Sequence, residues 1–318
     1  MTIKKRIVGV VGIGHVGAHV AFTLGMMGVA DEVLLCDKKQ DKLVSERQDL
    51  MDAVKFMPHL VDYRIVDYAG LKDCDVIVNS TGKIELCATG NRDDEMNFTV
   101  AQVADYIPKI MAGGFKGIFL NITNPCDVIT HLIAVKSGLP KGHVLGTGTG
   151  LDTSRLVSAL AQQTGLDHHS FTAYMFGEHG NAQMVPWSLV KFGGKSLDEY
   201  KNKPPFDFDR ADMQKRAIGG GWVTYKGKGC TEYGICSAAA YMVDAILHDS
   251  KKILPASVEL TGEYGEKDIF AGCPAVIGAN GAEQVMEYNL PENELKEFKA
   301  CCTTIRNNIA KADNLLHR

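Results

Sequence analysis

No stretch of this sequence approaches the ~20 consecutive apolar residues that a membrane-spanning helix requires, so no such span is expected. An excess of positive charge is missing too: 34 Lys and Arg stand against 38 Asp and Glu, interspersed, for a formal net charge of -4. Phosphate backbones are held by concentrated basic surface, so nucleic acid is disfavoured as a partner. The nine cysteines form no C-x-x-C pair and no cysteine–histidine set at zinc spacing, and Cys301 and Cys302 are direct neighbours. That argues against a disulfide framework or a structural metal, and for reduced thiols used as small apolar residues. Internal repeats and low-complexity linkers are also lacking. The basic start Met1-Thr2-Ile3-Lys4-Lys5-Arg6 leads into an apolar run that glycines soon break, and a helix pattern follows. It reads as a mature cytoplasmic start rather than a signal peptide.

What is present is the composition of a globular chain, 45% hydrophobic and 23% charged over 318 residues, long enough for two domains. In the first half, short β-branched runs at 7–13, 33–36, 63–66, 76–79, 118–122 and 144–146 read as strands. Most are continuously apolar, as expected when both faces of a parallel sheet are covered. Helical spacing fills the gaps at 16–27, 41–57, 97–111 and 128–137. The alternation predicts an α/β fold with a Rossmann-type doubly wound parallel sheet over residues 1–146. Beyond it the alternation fades. Helices are expected at 152–164, 209–218, 230–248 and 292–312, strands at 171–175 and 187–190, and an antiparallel pair at 256–259 and 275–277. Residues 147–318 are therefore expected to form a second, α+β substrate domain.

The first strand runs into Gly12-Ile13-Gly14-His15-Val16-Gly17 and then a helix. In that setting the first glycine permits a tight turn, the second lets backbone approach a pyrophosphate, and the third lets the helix pack closely on the strand. The helix start offers unpaired N–H groups and a positive dipole end to phosphate. Asp37 ends the second strand 20 residues after Gly17, where a carboxylate accepts from ribose hydroxyls and repels a 2′-phosphate. NAD(H) is the expected cofactor, although Lys38 and Lys39 follow directly. The site is expected to take in Ile13, His15 and Val16 within the turn, and Thr81, Gly82 and Asn124 further along.

With hydride transfer left to the cofactor, the protein must move a proton, hold a carboxylate and polarise a carbonyl. His179 stands out in Phe176-Gly177-Glu178-His179-Gly180-Asn181, where the glycines give backbone access. Asp152 and Arg155 open a later helix pattern and are three apart, hence on one face. Asp152 could orient the ring and stabilise its charged form, and Arg155 could grip a carboxylate through parallel hydrogen bonds. Taken alone, such a pair is more often an ordinary surface ion pair.

These motifs, together with Asn124-Pro125-Cys126-Asp127 and Gly146-Thr147-Gly148-x-x-Leu151-Asp152-x-x-Arg155, occur in an order and spacing that resemble the lactate and malate dehydrogenase superfamily over essentially the whole chain. Within it the sequence looks most like L-2-hydroxyisocaproate dehydrogenase, through Gly177-Glu178-His179-Gly180-Asn181 and Gly227-Lys228-Gly229-Cys230-Thr231-x-Tyr233-Gly234. The resemblance implies an NAD-dependent L-2-hydroxy acid dehydrogenase. It makes His179 the proton donor and acceptor, Asp152 its partner and Arg155 the carboxylate holder. Arg92 matches a lid arginine that polarises the substrate carbonyl, and its help grows as the lid excludes water. Asn124 would sit near the reacting oxygen, Thr231 in the substrate pocket and Ile235 against the nicotinamide. The family also assembles through helices resembling Gln48-Asp49-Leu50-Met51-Asp52-Ala53, which implies a homodimer or homotetramer.

Six residues before Arg92, lactate enzymes typically carry Gln and malate enzymes Arg; here the residue is Leu86. A leucine cannot pair with a second carboxylate, forfeiting roughly 1.5–3 kcal/mol for oxaloacetate. Burying an apolar substrate side chain contributes instead ~0.8 kcal/mol per methylene. Lys83 or Glu85 pointing inward would spoil this preference. Gly219-Gly220-Gly221 reads either as room for a branched substrate or as a helix end and loop. Where fructose 1,6-bisphosphate-responsive bacterial lactate dehydrogenases carry Arg and His, this chain has Val157 and Thr172, so no activation by that sugar phosphate is expected. The alternative is an L-lactate or malate dehydrogenase with an unusual lid. An NAD-dependent glycosidase would call for a metal-binding Cys and His set, and a non-enzymatic NAD-binding protein has no use for the six polar residues together.

Overall fold

The computed structural model describes residues 4–89, 95–200 and 203–316. Its first half interleaves β1 (Ile7–Val11), α1 (His15–Met26), β2 (Glu32–Cys36), α2 (Gln40–Ala53), β3 (Asp62–Ile65) and β4 (Val76–Asn79). Then come α3 (Met96–Ala112), β5 (Ile118–Asn121), α4 (Cys126–Ser137) and β6 (Val144–Gly146). The strands lie parallel in the order β3-β2-β1-β4-β5-β6. Val8 pairs with Val33 on one side and Val76 on the other, so the apolar runs meet in register. All residues of β2, β4 and β5 are buried, because helices cover both faces of the sheet. One face is packed by Val20, Ala21 and Leu24 of α1, the other by α3 and α4. The chain leaves β1 for β2 on one side and reaches β4 on the other. That reversal opens a crevice at the carboxyl ends of β1 and β4, the usual place for a ligand in an open α/β sheet.

The second half contains α5 (Gly150–Thr164), β7 (Phe171–Thr172), β8 (Phe176–Gly177), β9 (Gln183–Met184), β10 (Lys191–Phe192), β11 (Lys195–Ser196) and α6 (Leu197–Tyr200). It continues through α7 (Arg210–Lys228), α8 (Tyr233–Leu247), β12 (Lys252–Thr261), β13 (Lys267–Gly278), β14 (Gly281–Val285) and α9 (Glu292–Leu316). β12 extends the parallel sheet antiparallel to β6 through the pair Ser257 and Gly146, and β13, β8 and β9 follow, with β14 also on β13. A second small sheet joins β11, β10 and β7.

Three expectations from the sequence are corrected, and a fourth, the antiparallel pair, is borne out and extended. Of the run 171–175 only Phe171–Thr172 is strand, and β8 starts at Phe176, because Met175 is held by side chains at the start of α5 rather than by a strand ladder: Thr153 Oγ1 accepts from its N–H and Thr149 Oγ1 donates to its carbonyl. Trp187–Leu189 is a 3-10 turn after Pro186, not a strand. The pair expected at 256–259 and 275–277 belongs to one long hairpin in which Ala275 faces Leu254 and Ala256 faces Cys273. The helix expected to end at 218 runs on to Lys228, straight through Gly219, Gly220 and Gly221. Glycine disfavours a helix interior by ~1 kcal/mol relative to alanine, so packing against α5 sustains this one.

Beneath the loop that carries His179, Phe298 of α9 is fully buried and meets Phe176 and Tyr264 edge-on at 5.6 and 5.0 Å. Replacing it with alanine opens a void that the surrounding strands cannot close. Phe298→Ala is expected to cost ~3–5 kcal/mol, measured as a fall in the urea midpoint; a loss below about 1 kcal/mol contradicts this packing.

Candidate active site

A cleft of about 620 Å³ opens at the carboxyl ends of β1 and β4 and continues to α5, α7 and the chain ahead of α8. Its inner end is the glycine turn. Gly12 has φ +89°, and a Cβ there would lie 2.8 Å from Thr81 backbone; one on Gly17 would lie 1.9 Å from the Gly12 carbonyl oxygen. Gly14 faces open space, with nothing within 4 Å of where its Cβ would stand. Asp37 closes this end. Its Oδ2 accepts from the Ile13 N–H at 2.7 Å and its Oδ1 from the Lys39 N–H at 2.9 Å, which fixes the carboxylate on the cleft wall.

The middle of the cleft rests on buried polar side chains. Asn121 Oδ1 accepts from Asn79 Nδ2 at 2.8 Å and from the Thr123 N–H at 3.1 Å, while its Nδ2 donates to the carbonyl of Cys126 at 3.0 Å. These bonds shape the loop that presents Asn124. Ser80 Oγ and Asn124 Oδ1 are buried without a hydrogen-bond partner among the described residues, an arrangement that costs free energy unless a ligand completes it. The glycine turn, the Asp37 carboxylate and these two orphaned oxygens together fit a dinucleotide.

At the outer end His179, Asp152 and Arg155 converge. Asp152 is buried in the first turn of α5 and divides its carboxylate. Oδ2 lies 2.5 Å from His179 Nδ1, and Oδ1 accepts from Arg155 Nη1 at 2.8 Å. An ionised carboxylate only accepts, so the Nδ1 proton is fixed on the Asp152 side and Nε2 is the nitrogen on the far side of the ring from Asp152. His179 and Arg155 both line the cleft. Gly220 of α7 packs on the stem of Arg155, where a Cβ would approach Cδ to 3.0 Å. The glycine run is thus a close helix contact, and bulk at 220 would displace Arg155 rather than merely narrow a pocket.

Behind this group Asp127 is fully buried in the first turn of α4, with Oδ2 on the His179 N–H at 2.8 Å and Oδ1 on Ser257 Oγ at 2.5 Å. Burial lifts its carboxyl to about 7, against the pull of those two hydrogen bonds.

Gly12, Ile13, Gly14, His15, Val16, Asp37, Thr81, Gly82, Asn124, Thr231 and Ile235 all line the same cleft. Gly17 and Asp152 stand just behind it, acting through packing and through His179. Arg92 lies outside the described residues. Leu86 is corrected: it is 36% exposed and does not line the cleft, whereas Lys83, Ile84 and Glu85 do. The turn Ile84–Thr89 is a 3-10 helix, whose three-residue period carries Leu86 away from the face shown by Ile84 and Glu85. Sequence reasoning missed Ser80, which follows β4 at the strand-order reversal, and Tyr68, Phe98 and Tyr106, which read as ordinary core. It also missed Trp222 and Tyr225. With α7 known to continue, Gly221 and Tyr225 fall four apart on one face.

Comparison with known proteins adds to this geometry. Residues 6–146 match the family model described as lactate/malate dehydrogenase, NAD binding domain, and residues 149–316 match lactate/malate dehydrogenase, alpha/beta C-terminal domain. The chain is 37% identical over 307 residues to a protein named L-lactate dehydrogenase from Fusobacterium nucleatum subsp. nucleatum, covering 96% of each chain. It is 36% identical to L-lactate dehydrogenase 2 of Listeria monocytogenes serovar 1/2a, covering 96% of this chain and 99% of the relative. Among solved structures, the minor L-lactate dehydrogenase of Enterococcus mundtii in its ligands-bound form superposes with a TM-score of 0.90 at 30% identity, over 96% of this chain and 98% of that one. A lactate dehydrogenase enzyme from a Medee basin deep-sea metagenome library gives 0.91 at 28% identity, over 98% and 100%.

Two outcomes follow from the geometry. Gly17→Ala is expected to weaken NADH binding by at least about tenfold, because a methyl group cannot share space with the Gly12 carbonyl; fluorescence titration with near-native affinity contradicts this turn. Asp127 binds its proton more tightly folded than unfolded, so its contribution to stability falls as pH rises from the ordinary carboxylate value of 3.8 toward about 7. Asp127→Asn removes that loss. Its melting temperature relative to the native chain is expected to be higher at about pH 8 than at about pH 5; a pH-independent difference contradicts the burial effect.

Proposed function

Because the chain belongs to the lactate/malate dehydrogenase family and carries its NAD-binding domain, we propose that it reversibly oxidises L-2-hydroxy acids to 2-oxo acids with a preference for medium-sized apolar side chains such as that of 2-hydroxyisocaproate. The observation that carries this preference is the α7 wall: Gly221 is buried and lines the cleft as bare backbone beside Trp222 and Tyr225. Lys83 and Glu85 line the cleft where Leu86 was expected, so Leu86 no longer supports this preference and the α7 wall carries it. L-lactate dehydrogenase is the second reading, favoured by the names of the relatives reported above.

In the proposed mechanism Arg155 holds the substrate carboxylate, and Asn124 and Thr231 orient the substrate near its reacting oxygen. During oxidation His179 Nε2 takes the hydroxyl proton, and during reduction it returns it. Asp152, on the far side of the ring, stabilises the imidazolium that forms. When bound against the glycine turn, Asp37, Ser80, Asn124 and Ile235, NAD(H) supplies the hydride acceptor or donor. Arg92 is assigned to the substrate carbonyl by resemblance alone.

The same reading extends to assembly and regulation. A homodimer or homotetramer is supported by the exposed apolar side chains Phe22 and Met26 on α1 and Val44 on α2. A cytoplasmic setting is supported by free thiols at Cys36, Cys74, Cys126, Cys230, Cys236, Cys273, Cys301 and Cys302. Absence of fructose 1,6-bisphosphate activation is supported by Val157, an apolar side chain half-buried against the core of the substrate half, and by Thr172, which brings no cation to β7.

The test is NADH oxidation with pyruvate, oxaloacetate, phenylpyruvate and 2-oxoisocaproate, compared by kcat/KM, with and without the sugar phosphate. The larger apolar acids are expected to lead, with no effect of the effector. Gly221→Ala is expected to depress 2-oxoisocaproate about tenfold more than pyruvate. A lead for pyruvate returns the second reading, and an equal loss on both substrates removes the α7 wall as the determinant.

A further inference from the structure

His179 is gripped twice. Its ring is tied to α5 through Asp152, and its backbone amide donates to Asp127 Oδ2 at 2.8 Å. The second grip matters because glycines lie on both sides of this segment. Gly177 sits at φ +97° and Gly180 follows, so the local backbone has little stiffness of its own. Asp127 is itself fixed. It lies in the first turn of α4, where the helix dipole favours a carboxylate, and Ser257 Oγ holds its other oxygen at 2.5 Å. Ser257 is fully buried in β12 at the one residue pair that joins β12 to β6. Among the described residues the groups around Asp127 offer no ion-pair partner. Glu178 approaches from the loop, Cys273 from β13, Cys302 from α9 and Cys126 from its own helix, and all raise the cost of its charge or leave it unrelieved. A buried carboxylate without a countercharge lowers stability, so its use lies in what it holds.

We propose that Asp127 is a positioning residue for the reaction, its carboxylate spanning from Ser257 to the His179 backbone amide and so setting where the His179 imidazole stands. This rests on the dehydrogenase reading for its effect on rate, but the contact itself does not. A misplacement of a catalytic group by about 1 Å can cost on the order of 100-fold.

Asp127→Ala is therefore expected to lower kcat about 100-fold while the NADH dissociation constant changes less than about twofold, since the glycine turn and Asp37 are untouched. Amide hydrogen exchange in residues 176–181 is expected to accelerate. Asp127→Asn keeps an acceptor for the His179 N–H and reverses the second bond, its Nδ2 donating to Ser257 Oγ where the carboxylate accepted, and is expected to restore most of kcat and the slow exchange. A folded Asp127→Ala with native kcat overturns the proposal, as does Asp127→Asn being as impaired as alanine. If Asp127→Ala does not fold, Ser257→Ala removes the anchor instead, and native kcat with native exchange in that variant overturns the proposal. If the native protein reduces no 2-oxo acid, the dehydrogenase reading fails. The exchange comparison then still decides whether Asp127 holds the His179 segment.

Discussion

The carboxylate of Asp152 is the constraint on which the site depends. A buried anion is costly unless it is paired and hydrogen-bonded, and Asp152 meets that requirement with Arg155 on one oxygen and His179 on the other. Because a single rigid group serves both His179 and Arg155, the proton-handling nitrogen and the carboxylate-binding cation are held at a fixed separation. The helix that carries it adds to this. Thr149 at the start of α5 and Thr153 within it clamp Met175, four residues before His179. The loop bearing the histidine is thus indexed to the helix bearing its partners.

Much of this was legible in the sequence because local chemistry and tertiary need coincide there. The alternating apolar runs have one stable arrangement, a parallel sheet covered on both faces, and the six strands were expected in their observed places. Gly12, Gly14, Gly17 and Asp37 form a unit whose spacing is set by a strand, a turn, a helix and a second strand, so it was readable without knowledge of the rest. The Asp152 and Arg155 pair carried the same information in weaker form. Three-residue spacing predicts a shared face, but only the fold shows that the face looks onto His179.

The misreadings have a common physical origin: each concerns a segment whose conformation is decided by distant packing. Gly219, Gly220 and Gly221 are poor helix formers, yet α7 passes through them because absent side chains let it lie close to Arg155. Leu86 was placed on the cleft by its distance from Arg92 along the chain, and the tighter winding of the 3-10 turn carries it outward. Asp127 was noted only as part of a motif. Its partners His179 and Ser257 are 52 and 130 residues away in sequence, beyond the reach of any local pattern.

The cysteines, treated so far as small apolar fillers, also give the chain a built-in chemical record of its own opening. Cys36, Cys74, Cys126, Cys236, Cys273, Cys301 and Cys302 are buried, and burial raises each of these thiols above its ordinary value. Alkylating reagents attack the thiolate, so in the folded chain these positions are doubly shielded, by exclusion and by protonation. Cys36 and Cys74 lie within the parallel sheet and its packing, while Cys273, Cys301 and Cys302 lie with β13 and α9. The order in which they take up label under mild denaturation is therefore a readout of which half of the sheet comes apart first.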